Sequence, residues 1–182
     1  MGNIYVTSDL HFCHDRDFLY GPRGFDSVEE MNKEIIKRWN SVVNYDDTVY
    51  VLGDCMLNDN IEGLKCLKQL KGNIFIAIGN HDTDARISLY QNCYNVKDVQ
   101  MAYRIKHNNQ TYYLSHYPTI ASNHDEDKPL SRRVINLCGH VHTRDRFCDM
   151  DKGLIYHCEL DAHDCYPVKI EDILNDIQIE TC

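Results

Sequence analysis

Residues 73–82, NIFIAIGNHD, join an apolar run of strand length to a glycine and three polar side chains. Short runs rich in apolar and β-branched residues, bounded by turn residues, are typical of buried strands. Gly79 allows the backbone to turn sharply where the strand ends. The sequence therefore predicts that Asn80, His81 and Asp82 stand together at a strand end.

Four further runs have the same character: NIYVTS at 3–8, DTVYVLG at 47–53, TYYLSH at 111–116 and RVINLCG at 133–139. Helical spacing of apolar residues follows in 27–43, which begins with a Ser27–Glu30 capping box, and again in 60–72 and 167–180. Strands this apolar need covering layers on their faces. The pattern therefore predicts an α/β fold of layered sheets and helices.

The pattern of apolar residues changes in the middle of the chain. Two short strand-like runs flank HNNQ at 107–110, which predicts a hairpin and a sheet that is antiparallel or mixed there. The polar, proline-bounded stretch 117–132 is interpreted as a loop with one short helical turn. A chain of 182 residues can bury one core, so 1–182 are predicted to form a single domain.

Composition limits the partners and the compartment. The excess of 28 acidic over 19 basic residues gives a formal charge of −9, which repels polyanions and makes duplex nucleic acid a poor candidate partner. The nine cysteines form no C-x-x-C pair, and neither a secretory signal nor a membrane-spanning run is recognisable. We expect free thiols, a cytoplasmic location and no membrane association.

Candidate metal ligands follow all five predicted strands. They are Asp9 and His11, Asp54, Asn80 beside His81, His116, and His140 with His142. If the backbone is extended, residues two apart point the same way, so Asp9 and His11 could contact one ion. In an open α/β sheet, such strand ends converge on a crevice. Two carboxylates, an amide and four histidines exceed the needs of one ion and predict a dinuclear site with one shared carboxylate.

Each fragment alone has an ordinary structural explanation. Asp-x-His is commonly a solvated turn, and Gly-Asn-His-Asp suits a turn because Gly and Asn tolerate positive φ. His116 alone could be a hydrogen-bonded core histidine. The ordered recurrence of such fragments after five strand-like runs favours the metal site over these separate explanations.

The ordered set resembles the calcineurin-like metallophosphoesterase family. It comprises Asp9-x-His11, Gly53-Asp54, Gly79-Asn80-His81-Asp82, His116 and Gly139-His140-x-His142. Further segments, such as LSHYP at 114–118, resemble small uncapped bacterial and phage members. The resemblance implies a four-layer α/β fold, with two mixed sheets packed as a sandwich and flanked by helices.

The resemblance also implies a role for each matching residue. Asp9, His11 and His142 would hold one metal ion. Asn80, His116 and His140 would hold a second, and Asp54 would bridge the two. His81 would be the catalytic residue facing the substrate. His14 is a candidate for substrate contact, although a surface position explains it equally well.

The implied chemistry is hydrolysis of a phosphate ester by a hydroxide that bridges two divalent transition-metal ions. Mixed Asp, Asn and His ligation suits Mn, Fe, Zn, Co or Ni. An imidazole such as that of His81 can stabilise the developing charge or protonate the leaving oxygen. Many relatives place a second acid where this chain has Leu57. Either Asp82, Asp59 or a backbone carbonyl orients His81 instead, or His81 is held less strongly and protonates the leaving group less well.

The predicted substrate is a small or exposed phosphate ester, with a phosphodiester slightly preferred. A phosphomonoesterase and a nuclease on the same centre are alternatives, as is a metal-binding scaffold of the same fold without catalysis. Four arginines are candidates for phosphate contact, although solvated surface positions explain most of them: Arg23, Arg132, Arg133 and Arg144. The sequence does not indicate the oligomeric state.

Overall fold

The computed structural model describes residues 2–181, which form two β-sheets with helices around them; Met1 and Cys182, with the free thiol predicted there, lie outside this range. The strands are β1 (Ile4–Thr7), β2 (Thr48–Val51), β3 (Asn73–Ala77), β4 (Val96–Gln100), β5 (Ala102–His107), β6 (Gln110–Ser115), β7 (Val134–Cys138), β8 (Ile155–His157) and β9 (Val168–Lys169). The helices are α1 (Asp17–Tyr20), α2 (Val28–Val42), α3 (Asn60–Lys68), α4 (Asp84–Gln91) and α5 (Ile170–Glu180), with short 3₁₀ turns at Leu130–Arg132 and Leu160–Ala162.

The first sheet has the order β4-β3-β2-β1-β9. Its first four strands are parallel, and β9 runs antiparallel to β1. The carboxyl ends of β1, β2 and β3 therefore lie at one edge, because parallel strands end on the same side.

The second sheet has the order β5-β6-β7-β8. Strands β5 and β6 form the predicted hairpin, and Asn108 and Asn109 at its turn have φ of 45° and 67°. Such positive values suit the twist of a two-residue hairpin turn. Strands β6, β7 and β8 are parallel, so this sheet is also mixed.

Two hydrophobic clusters cover the two faces of the first sheet. On one face, Val49, Val51 and Ile74 pack with α2, whose Ile35 and Trp39 are fully buried. On the other face, Val6, Leu52 and Ala77 pack against residues of the second sheet, and Ile170, Ile173 and Ile177 of α5 join this inter-sheet core. Alternate residues of a strand thus serve different layers, as the pleat requires.

The predicted α/β architecture is confirmed: two mixed sheets pack together and helices flank them. At the start of α2, the Ser27 side chain accepts from the amide of Glu30, as the capping box predicts. The sequence pattern does not predict α4, in which only Tyr90 is buried. A helix with one buried residue lacks the apolar stripe that makes a helix recognisable.

Candidate metal centre

The candidate ligands occupy loops at the carboxyl ends of five strands. Asp9 and His11 follow β1, Asp54 follows β2 and Asn80 follows β3, while His116 follows β6, and His140 and His142 follow β7. The two sheets bring all seven side chains together at the carboxyl ends of these strands, although 133 positions separate the first residue from the last. The predicted convergence of strand ends therefore appears in the fold.

The backbone at five of these seven positions is left-handed rather than extended, and the prediction based on strand alternation is wrong in this respect. Asp9, His11 and Asp54 have φ of 57°, 50° and 54°, and His140 and His142 have φ of 77° and 54°. Left-handed conformations cost non-glycine residues roughly 1–2 kcal/mol each and concentrate at functional sites. These turns after the strands, rather than the pleat, aim the side chains.

One group of ligand atoms consists of Asp9 Oδ1 and the Nε2 atoms of His11 and His142. The two imidazole nitrogens are 3.1 Å apart, and Asp9 Oδ1 lies 3.5 Å from that of His11 and 3.6 Å from that of His142. Asp9 and His11 are buried, whereas His142 is about one-third exposed. One ion placed among the three atoms could contact all of them.

A second group lies beside the first. Asn80 Oδ1 is 2.8 Å from His116 Nε2 and 2.9 Å from His140 Nδ1, and these two nitrogens are 3.2 Å apart. His140 and His142, although two residues apart, thus serve different groups. The left-handed backbone at both positions separates their side chains.

Asp54 stands between the two groups. Its Oδ2 lies 3.8 Å from His11 Nε2 in the first group and 3.6 Å from His116 Nε2 in the second. Its Oδ1 accepts from the backbone amide of His81 at 2.9 Å, which fixes the carboxylate. One carboxylate oxygen therefore faces both groups.

The donor set fits divalent cations. Oδ1 of Asp9 accepts no hydrogen bond from residues 2–181, although Asp9 is fully buried. His116 Nδ1 lies 2.8 Å from the carbonyl oxygen of Leu52, so it carries the proton and Nε2 presents a lone pair to Asn80 Oδ1. Buried acceptors that face each other without a donor are unfavourable, and a cation between them relieves the repulsion.

The charges of the protein without metal are consistent with this arrangement. Burial disfavours ionised Asp9, but His11 and the other neighbouring histidines outweigh it and hold the pKa of Asp9 below its ordinary range. Burial lowers the pKa of His11 to about 4, although Asp9 opposes the shift. Burial also raises the pKa of Asp54 to about 6. His11 is therefore neutral at neutral pH, as a metal ligand must be.

Asp161, which is not among the residues predicted from the sequence, lies directly beside the first group of ligand atoms. Its Oδ2 lies 3.0 Å from His142 Nδ1, and its two oxygens accept from Nε and Nη2 of Arg23 at 3.0 and 2.7 Å. Nη2 of Arg23 also donates to the carbonyl oxygen of Asp9. The Arg23 side chain is 1% exposed, so Arg23 is a buried residue that links Asp161 to the Asp9 backbone rather than a solvated surface residue. In the sequence, Asp161 opens DAHDCYPV at 161–168, and its distance along the chain from the other candidates gives no indication that it joins them.

The other three candidate arginines do not line the ligand groups. Arg133 is buried and donates to the carbonyl oxygens of Asn123 and His124. Arg144 is exposed and donates to the carbonyl oxygen of Pro22, and Arg132 is exposed in a 3₁₀ turn.

Asp82 supports the backbone of the site but does not orient the His81 ring. It accepts from the amides of Asp54 and Gly79 at 2.9 Å each and from the Tyr90 hydroxyl at 2.8 Å. Asp59 caps α3 by accepting from Ile61 and Glu62. Neither of the two predicted acids hydrogen-bonds the His81 imidazole.

His81 and His14 face the ligand groups from the open side. The His81 side chain is 43% exposed, and its Nε2 lies 3.9 Å from Asp54 Oδ2. Arg86 donates to the His81 carbonyl oxygen at 2.5 Å, which holds the backbone, whereas none of the described residues hydrogen-bonds the His81 ring. Nδ1 of His14 lies 3.3 Å from Nδ1 of His11. Both residues line a cavity of about 500 Å³ that also includes Phe18, Leu19 and Pro22.

Two glycines are required because the ligands approach the backbone closely. A Cβ at Gly79 would overlap Asp54 Oδ1, and one at Gly139 would overlap Ser8 Oγ and Asp9 Oδ2. The glycines in Gly-Asn-His-Asp and Gly-His-x-His therefore make room for carboxylates from other strands.

Comparison with known families agrees with this geometry. The family model described as calcineurin-like phosphoesterase matches residues 2–179. The chain belongs to this family. Its members are phosphoesterases, so membership supports a hydrolase and a site for divalent metal ions.

Relatives occur in archaea and in phages. An uncharacterized protein of Methanocaldococcus jannaschii is 46% identical over 45% of this chain, and the match spans only 48% of that protein. The Gene 66 proteins of Mycobacterium phages L5 and D29 are 31% and 29% identical, covering 79% and 98% of both chains respectively.

Two solved structures share the fold. A protein of unknown function from Aquifex aeolicus has a TM-score of 0.73 at 24% identity and covers 96% of this chain and 99% of its own. A structure described as a novel archaeal phosphodiesterase has a TM-score of 0.51 at 16% identity and covers 88% of this chain and 86% of its own. Among residues 2–181, no helix combines the length and apolar character needed to cross a bilayer.

Proposed function

We propose that this protein is a dinuclear metal-dependent phosphoesterase that hydrolyses a small or exposed phosphate ester, with phosphodiesters slightly preferred. The observation that carries the proposal is the position of Asp54 Oδ2, which faces the Asp9–His11–His142 group and the Asn80–His116–His140 group at once. Family membership supports the reaction class.

Each group would hold one divalent ion, and Asp54 would be shared. Bound as a pair, such ions supply Lewis acidity toward phosphate oxygens and lower the pKa of a water nucleophile. Histidine nitrogens with carboxylate and amide oxygens suit Mn, Fe, Zn, Co or Ni. Asp161 would fix the His142 tautomer by accepting from Nδ1, and the Leu52 carbonyl oxygen would do the same for His116.

His81 is assigned as the general acid. Its exposed ring stands beside Asp54 and at the wall of the adjoining cavity, where a leaving oxygen would emerge. Proton donation to that oxygen would neutralise its developing charge. Because neither Asp82 nor Asp59 reaches the ring, orientation of His81 would depend on the bound substrate. His14 lines the same cavity and is the candidate for contact with a phosphate oxygen.

The cavity supports the preference for diesters. Its volume of about 500 Å³ and its apolar wall of Phe18, Leu19 and Pro22 would accommodate the second substituent that a diester carries and a monoester lacks. Macromolecular polyanions are disfavoured by the formal charge of −9. A cytoplasmic location belongs to the proposal, because the eight described cysteines are all unpaired.

The test uses metal-stripped protein reconstituted with Mn²⁺, Ni²⁺ or Zn²⁺. We expect turnover of bis-p-nitrophenyl phosphate that requires metal, exceeds turnover of p-nitrophenyl phosphate and largely disappears in Asp54→Asn. Equal turnover in this variant would refute the shared-carboxylate mechanism. Faster turnover of the monoester would assign the centre to a phosphomonoesterase.

A further inference from the structure

A second set of metal-binding side chains lies outside the paired groups. Cys148 and Asp149 belong to the irregular segment 145–153, and His157 ends β8. His157 Nε2 lies 2.9 Å from Asp149 Oδ2 and 3.3 Å from Cys148 Sγ. The mechanism proposed above uses none of these residues.

A buried carboxylate fixes the orientation of His157. Glu159 Oε1 lies 3.1 Å from His157 Nδ1, and both side chains are fully buried. If Nδ1 donates to Glu159, then Nε2 presents its lone pair to Asp149 and Cys148. A carboxylate that holds the outer nitrogen of a metal-binding histidine is a common arrangement in zinc sites.

The local charge also favours a cation. Oε2 of Glu159 has no hydrogen-bond partner among residues 2–181, although the residue is 0% exposed. Asp149 adds a second carboxylate on the other side of the same imidazole. Asp149 is paired with the exposed Lys152, whose Nζ lies 2.5 Å from Asp149 Oδ1, but Glu159 has no lysine or arginine partner among the described residues. The buried Glu159 carboxylate therefore favours a positive charge at His157.

The spacing suits a small tetrahedral ion. Bonds of about 2.0–2.3 Å to nitrogen, oxygen and sulfur place neighbouring ligand atoms roughly 3.3–3.8 Å apart. The observed separations of 2.9 and 3.3 Å need to widen only slightly. Cys148 is exposed, so its side chain can move and water can complete the coordination.

We propose that Cys148, Asp149 and His157 form a third cation site, suited to Zn²⁺, that fastens segment 145–153 to β8. Within this segment, the Arg146 carbonyl oxygen already accepts from the His157 amide at 3.0 Å. An ion held by two residues of the segment and one of the strand would add a second, stronger connection.

Cobalt substitution tests the proposal because a thiolate bound to Co²⁺ produces an intense near-ultraviolet charge-transfer band. The seven residues assigned to the paired ions include no cysteine. Titration of the metal-stripped full chain should therefore give a band that belongs to one further equivalent. In Cys148→Ser we expect loss of the band and of that equivalent, with phosphoesterase activity unchanged. Cys13→Ser is the matched control. Cys13 lies two residues from His11, so this variant tests whether a cysteine near the paired ions produces the band, and we expect the band to remain.

Two results would overturn the proposal. One is the absence of a sulfur band at saturating Co²⁺. In that case a protonated His157 would simply donate hydrogen bonds to both Asp149 and Glu159. The other is a band that persists in Cys148→Ser. The band is measured without substrate, so it can be present in Asp54→Asn even if the proposed hydrolysis fails.

Discussion

Oδ2 of Asp161 lies 3.0 Å from Nδ1 of His142. This contact determines which ring nitrogen of His142 faces Asp9 and His11, because an imidazole that donates through Nδ1 presents a lone pair at Nε2. Burial opposes the Asp161 charge, but hydrogen bonds from His142 and Arg23 outweigh it and keep the pKa of Asp161 low. Asp161 therefore stays ionised throughout the neutral pH range and accepts the hydrogen bond from His142.

Replacing Asp161 with Asn should weaken metal binding at the first group. We expect affinity to fall roughly 10- to 100-fold, as for other carboxylates behind a metal-binding histidine. Stability should also fall, because the buried Arg23 guanidinium loses its counter-charge. Calorimetric metal titration and thermal unfolding measure the two effects. Asp164→Asn, an exposed site three residues away, is the control. Unchanged metal affinity in Asp161→Asn would contradict the assignment.

The role of His81 can be tested with leaving groups of different basicity. Removal of a general acid should slow esters with a poor alkoxide leaving group by about 100-fold or more. The effect on p-nitrophenyl esters should be much smaller, because p-nitrophenolate leaves without protonation. His81→Ala should still bind two ions in a metal titration. An equal loss of rate for both leaving groups would rule out proton donation by His81.

Asp54 should destabilise the metal-free protein at neutral pH. Its pKa is raised to about 6 by burial, so the folded state binds an extra proton between about pH 4 and pH 6 and loses stability as pH rises through that window. Metal-stripped Asp54→Asn should match the wild type at pH 4 and exceed it by on the order of 2–3 kcal/mol at pH 8. Urea unfolding at both pH values measures this difference. Asp46→Asn, at an exposed position, should show no such dependence.

Gly139→Ala should damage the first metal group although it replaces none of the assigned ligands. The added Cβ would overlap Asp9 Oδ2, so the carboxylate must move. We expect a loss of roughly 1–3 kcal/mol in stability, typical of overpacking, and weaker metal binding. Gly24→Ala is the matched control: Gly24 has φ of 85° but no atom within 4 Å of the added Cβ. If both variants bind metal equally, close packing does not position Asp9.

Phe18 should contribute to substrate binding rather than to the chemical step. It is 68% exposed, and its ring lies 5.9 Å from that of His14 at the cavity. An aromatic contact of about 0.5–1.5 kcal/mol predicts that Phe18→Ala raises KM for an aryl diester roughly 2- to 10-fold and leaves kcat unchanged. Ile179→Ala, at an exposed position on α5, should change neither parameter. A fall in kcat alone would place Phe18 in the chemical step instead.

Most of the central sheet strands could be predicted because their signal is local. The runs around Val49–Val51 and Ile74–Ile76 are apolar on both faces, which reflects burial between α2 and the second sheet. The helix α4 has a single buried residue, and the strands β8 and β9 are only three and two residues long. Neither an apolar stripe nor an alternating pattern could therefore be recognised in them.

The sequence by itself determined which residue types follow each strand, and hence a donor set of carboxylate, amide and imidazole groups suited to two cations. Only the tertiary structure decided how these donors are divided, because left-handed turns after the strands send His140 and His142 to different groups. It also brought Asp161 to His142 and Glu159 to His157. Such contacts depend on which strands and loops lie side by side in the fold. The spacing of residues along the chain does not reveal those neighbours.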